Sequence, residues 1–129
     1  MTGKTMRTPM RGVLGLGSAR SGTEHFWRQR VTGAANAILV VAFVIIVVSV
    51  AGRPYAEVLP VLSSPLVAVM LLLLVVSVTV HMRIGMQVVV EDYVRSEGLK
   101  VVLLIANTFF TVAVGAVCVV AILKLAFGA

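Results

Sequence analysis

The chain has 129 residues, enough for one domain. Hydrophobic residues make up 60% of it and charged residues 12%, where a soluble globular domain runs at about 45–50% and about 25%. A small soluble protein with this balance and a mean hydropathy of +1.08 could not cover its own surface. That excludes a disordered acidic tail, a secreted disulfide scaffold and an ordinary cytosolic enzyme, and leaves lipid as the expected solvent. The formal charge is +6. Its placement argues against nucleic acid: Lys4, Arg7, Arg11, Arg20, Arg28 and Arg30 all precede the first apolar run, opposed only by Glu24, with few aromatic residues among them for base stacking. Such a cluster reads as a membrane-topology signal. Cys118, the single cysteine, excludes an internal disulfide and sits in an apolar run as a small hydrophobe.

In chain order, residues 1–20 carry Pro9 and four glycines and read as a flexible basic segment. From Ser21 the sequence is better ordered. Ser21 and Glu24 have the spacing of a capping box, which predicts a short amphipathic helix at the interface, anchored by Phe26 and Trp27 at headgroup depth. Residues 21–129 then form a three-helix membrane domain. Charge-free intervals place the spans at about residues 31–52, 65–90 and 100–124, each near the roughly 20 residues that a helix needs to cross a hydrocarbon core. The runs are too long and too uniformly apolar for barrel strands. The fold class is an all-α membrane protein with three transmembrane helices.

The six basic residues before the first span put the N-terminus in the cytoplasm by the positive-inside rule. The loop at about residues 52–65, with Pro54, Pro60 and Pro65, is read as a turn region on the far side. The loop at about residues 91–100 carries Glu91, Asp92, Arg95, Glu97 and Lys100 and faces the cytoplasm. The chain is a multi-pass membrane protein on this reading.

The second span holds the informative polar groups. A polar side chain in lipid is costly unless it is partnered, so each needs a reason. His81 is about 16 Å along the axis from Asp92, near mid-membrane. It is either a hydrogen-bonding contact to a neighbouring helix or a heme or metal ligand, since neutral imidazole binds iron well. Ser77 and Gly85 flank it by one turn on nearly one face, and Gly85 admits a close approach by a macrocycle or a helix. The chain has only one other histidine, His25, and it precedes the first span. Six-coordinate heme therefore requires an axial histidine from a partner chain. Arg83 lies about 200° around the helix from His81, and either snorkels to the headgroups or pairs with an anionic group such as a heme propionate. Gln87, one turn on, is placed to relay hydrogen bonds toward the interface. Tyr93 is either an aromatic-belt residue or a phenol donating to a quinone carbonyl, with Asp92 orienting that bond or accepting a proton. Asn107 and Thr108 in the third span read as helix–helix glue, and Gly115 as a close-packing point. No nucleotide, dinucleotide, CxxC or HExxH motif is present, so the chain holds no flavin or iron–sulfur cluster by itself.

The stretch HMRIGMQVVVEDY, residues 81–93, resembles the signature H-x-x-x-G-x-x-x-x-x-x-D-Y of the small hydrophobic membrane-anchor subunit of succinate dehydrogenase (respiratory complex II). The stretch GTEHFWRQRVT, residues 22–32, resembles that family's approach to its first helix. The likeness runs over about residues 15–127. It implies a subunit that is non-catalytic alone and works with a flavoprotein, an iron–sulfur protein and a second anchor chain. The two anchors bind one heme b between them, and electrons from succinate reach ubiquinone. On the same resemblance, His81 matches the axial heme ligand, Tyr93 the tyrosine hydrogen-bonded to ubiquinone, and Asp92 its neighbour. His25 and Arg30 match residues near the heme propionates or the quinone pocket. Arg83 departs from the family pattern, which often has a neutral residue there, and Glu91 stands at another variable place. The alternatives are a cofactor-free membrane adaptor, with His81 and Arg83 used for helix pairing, and a transporter subunit with Arg83 and Gln87 lining a pore.

Overall fold

The computed structural model describes residue 10 and residues 21–128. The expected flexible segment over residues 1–20 lies, apart from residue 10, outside the described residues. Over residues 21–128 four helices follow one another: α1 (Ser21–Val50), α2 (Tyr55–Leu62), α3 (Pro65–Tyr93) and α4 (Glu97–Phe127). Three of them, α1, α3 and α4, are long and apolar enough to cross a membrane. Their 30, 29 and 31 residues correspond to about 45 Å each at 1.5 Å per residue, so they outreach a hydrocarbon core of about 30 Å.

The segment expected to form a separate interfacial helix is continuous with the first span; both belong to α1. No proline interrupts it, and Gly33 is held in the helix by packing. Glu24 pairs with Arg28 one turn later on the same helix. The helix ends at Val50, where Gly52 takes a left-handed φ of 75°, a conformation that costs glycine little.

Two loops differ from expectation. The first, read as a turn region, contains α2. Pro54 precedes its first residue with φ −59°, a value that the proline ring fixes, and its carbonyl accepts from the Glu57 and Val58 amides at 2.9 and 3.2 Å. Pro65 opens α3 at a position where a missing N–H goes unneeded. The second loop shrinks from about ten residues to 94–96. Glu91 and Asp92 stay in the last turn of α3, and Glu97 and Lys100 in the first turn of α4, where they form an ion pair at 3.6 Å.

α3 is the middle helix. It packs against α1 on one side and α4 on the other, and those two do not pack on each other. Both pairings are antiparallel. The α3–α4 seam is closed by small residues: a Cβ on Gly115 would stand 3.1 Å from Thr79 Oγ1. Thr111, fully buried beside it, donates to the Asn107 carbonyl at 2.8 Å. Asn107 Nδ2 donates to the Arg83 carbonyl at 2.9 Å, as its reading as glue requires. Buried apolar residues are few, namely Ala68, Ile84 and Val90. The outer faces of α1 and α4 are broadly exposed and apolar, the surface of a chain built to be surrounded by lipid or other helices. Cys118 and Met82 line an apolar groove with Phe43, Val78 and Val114, in keeping with packing roles.

Candidate functional site

The α1–α3 seam is polar where most of the molecule is not. On α1, Gln29, Thr32, Gly33 and Asn36 recur at i, i+3, i+4 and i+7, which puts them on one face. On α3, Ser77, His81 and Gly85 recur every fourth residue and face them. His81 Nδ1 lies 3.2 Å from Thr32 Oγ1, and His81 Nε2 lies 3.4 Å from the Gln29 amide nitrogen. Ser77 Oγ donates to the Thr32 backbone carbonyl at 3.2 Å. The ring rests on the bare backbone of Gly33, where a Cβ would meet Cε1 at 3.3 Å. One turn on, Gly85 leaves room for the Gln29 side chain, whose nitrogen would sit 3.3 Å from a Cβ there.

The hydrogen bonds fix the state of the ring. Thr32 has one hydroxyl proton, and carbonyls of its own helix take it: Arg28 at 2.7 Å and Gln29 at 3.2 Å. Its oxygen then presents a lone pair to His81, so Nδ1 carries the ring proton and donates. Nε2 is left bare, and the Gln29 amide donates to it over a long 3.4 Å.

This arrangement fits an axial heme ligand. Among the described residues no three His, Cys, Asp or Glu side chains gather as a metal site. A porphyrin brings four donors of its own and asks a chain for a single nitrogen. His81 has Nε2 facing the Gln29 amide at 3.4 Å and its other nitrogen against Thr32, the second partner that ligating histidines generally have. The group facing Nε2 is the end of a flexible side chain. Its Oε1 is buried without a partner, as is Asn36 Oδ1 on the same face, so the Gln29 amide is not locked in place.

The remaining sequence candidates lie outside this seam. The Arg83 side chain is exposed and in no ion pair among the described residues. Gln87 donates to Glu91 Oε1 at 2.8 Å within its own helix. Asp92 and Tyr93 close α3, and Tyr93 is 82% exposed, about 18 Å along the axis from His81. His25 is half-buried, one turn before Gln29 on α1. The antiparallel register therefore sets it on the path from His81 toward the Tyr93 end of the molecule. Arg30 stacks its guanidinium over the Phe26 ring at 4.5 Å. The structure thus brings Ser77 and His81 together with residues not singled out from the sequence, namely Gln29, Thr32 and Asn36. Their spacing was the available signal: three polar side chains on one stripe of an otherwise apolar helix.

The family model for the succinate dehydrogenase/fumarate reductase transmembrane subunit matches residues 4–115. The succinate dehydrogenase hydrophobic membrane anchor subunit of Paracoccus denitrificans is 31% identical over 122 residues, covering 95% of this chain and 94% of that one. The subunits of the same name from Rickettsia conorii and Rickettsia bellii are 34% and 29% identical, each over 74% of this chain and 77% of the relative. No solved structure matches significantly. An open row of three membrane-length helices, a histidine-centred seam between two of them, and a family match over most of the chain lead to one assignment: this chain belongs to the succinate dehydrogenase/fumarate reductase transmembrane-subunit family.

Proposed function

We propose that the chain is the heme-ligating membrane anchor of a bacterial succinate:ubiquinone oxidoreductase, inserted in the inner membrane with its N-terminus in the cytoplasm. It assembles with a flavoprotein, an iron–sulfur protein and a second anchor. The observation that carries the reading is His81, an imidazole within a membrane-length helix, with Nδ1 against Thr32 at 3.2 Å and Nε2 facing only the end of the flexible Gln29 side chain at 3.4 Å. Heme b, shared with the second anchor, supplies one-electron redox chemistry when bound. His81 gives the iron its Nε2, and Thr32 holds the ring from behind.

The quinone chemistry belongs at the other end of α3. Reducing ubiquinone takes two electrons and two protons, so its ring must sit where protons arrive from water. The exposed Tyr93 phenol donates a hydrogen bond to a quinone carbonyl there, and Asp92 beside it orients that bond or takes up a proton. The first turns of α1, carrying His25, Arg30, Phe26 and Trp27, lie at this same end, at headgroup depth. Peripheral subunits dock on this side. Arg83 reaches outward from α3 to the headgroups or to a propionate.

A cofactor-free adaptor is the competing reading. It draws on the fact that both ring nitrogens of His81 have partners within the chain. Purification in a mild detergent separates the two. The anchor reading expects a red preparation with a reduced b-type spectrum that contains the flavoprotein, the iron–sulfur protein and a second anchor. A colourless preparation without dehydrogenase subunits contradicts it.

A further inference from the structure

We infer that Thr32 is the positioning residue for His81, setting both which ring nitrogen meets the iron and how strongly it donates. The inference rests on His81 being the heme ligand and adds a residue on a different helix to that site.

Three observations carry it. First, the Thr32 hydroxyl proton is committed to its own helix by the 2.7 Å bond to the Arg28 carbonyl, the back-bonding habit of threonine inside helices. The oxygen can therefore only accept from the ring. An accepting oxygen 3.2 Å from Nδ1 places the proton on that nitrogen and keeps Nε2 free. A valine of the same shape would offer the ring N–H no acceptor. Second, Thr32 is itself fixed. Ser77, one turn before His81 on α3, donates to the Thr32 carbonyl, so a single turn of α1 is held at its backbone by Ser77 and at its side chain by His81. Third, the ring lies over Gly33, near enough that a Cβ there would stand 3.3 Å from Cε1, so the missing side chain is what lets the ring reach the hydroxyl.

The consequence is electronic as well as geometric. A hydrogen bond accepted from the remote N–H raises the basicity of the ligating nitrogen. It favours ferric iron and holds the midpoint potential down. Removing the acceptor leaves a part-buried N–H without its partner, weakens the ligand and raises the potential.

The test compares Thr32→Val, Thr32→Ala and Thr32→Ser in the complete purified complex. It reads heme per flavin, the heme midpoint potential and the electron paramagnetic resonance of the oxidised heme. Valine and alanine are each expected to raise the midpoint, shift the resonance and weaken heme retention by about tenfold, while serine keeps parent values. If the valine variant fails to assemble, the alanine–serine pair decides on the same criteria. Parent-like midpoint and resonance in the valine or alanine variant overturn the inference, and so does a shift in serine equal to theirs, which would trace the effect to the lost methyl group. A His81→Ala complex serves as the separate control: if it keeps its heme, the ligand assignment itself fails, whatever Thr32 does.

Discussion

At the scale of single residues, the two glycines beside His81 have unequal roles despite equal spacing from their neighbours. A methyl group on Gly33 would press on the His81 ring at 3.3 Å, and that ring is pinned by Thr32. A methyl group on Gly85 would press, at the same 3.3 Å, on the tip of the Gln29 side chain, which can swing aside. Gly33→Ala is therefore expected to lower the heme-to-flavin ratio or broaden the heme resonance, and Gly85→Ala to leave both near parent values. Equal loss in the two variants would mean that the ring is not the constrained partner. His81 was legible in the sequence because an ionisable group in an apolar span demands a reason. Thr32 was not, because threonine satisfies itself within any helix and its partner lies 49 positions away. Only the register between α1 and α3 brings them together, and that register follows from side-chain fit across the seam rather than from either helix alone.

At the scale of elements, the two seams of α3 do different work. The α1 seam carries the polar site, whereas the α4 seam is closed by Gly115 against Thr79 and by the Asn107 bond to the Arg83 carbonyl. Thr79 is β-branched and rooted on the α3 backbone, so it has little freedom to yield. Gly115→Val is expected to destabilise the anchor by about 1–3 kcal/mol through overpacking, read as a lower unfolding temperature of the purified complex, with the heme resonance of the surviving fraction unchanged. Asn107→Leu should cost less, about 0.6 kcal/mol, the average for such bonds between membrane helices. A heme shift in either variant would show that the seams are coupled. The three spans were readable from charge-free intervals, but their ends were not. Charge alone assigns Glu91 and Glu97 to a loop, yet the helices extend over them, since a helix can continue past the hydrocarbon edge, where charge is tolerated. Pro65 marks the start of the second span in the sequence and in the structure, whereas Pro54 and Pro60 read as turn residues, yet Pro54 precedes α2 and Pro60 lies inside it, because a fixed φ begins a helix as readily as it ends one.

At the scale of the whole molecule, three helices in a row with α3 at the centre bury little of their own apolar surface. Such a chain finds its solvent in lipid and in neighbouring subunits, as a membrane anchor must. The helix order puts the start of α1, the end of α3 and the start of α4 at one end, so Tyr93 shares that end with His25 and Arg30. If this is the quinone end, Tyr93→Phe lowers ubiquinone reduction severalfold while succinate oxidation with a soluble artificial acceptor stays largely intact. Equal loss in both assays would argue against a quinone role. The motif over residues 81–93 is what proposes both roles, with a histidine inside the span and a phenol at its end. The motif is silent on α1, and there the structure adds the groups that meet His81.

His81 is tested most directly by the reduced-minus-oxidised absorption spectrum of the complex purified with His81→Ala in place of the parent chain. Loss of the b-type signal, with the flavoprotein and iron–sulfur protein still co-purifying, is the predicted result. An unaltered signal in a fully assembled complex would contradict it.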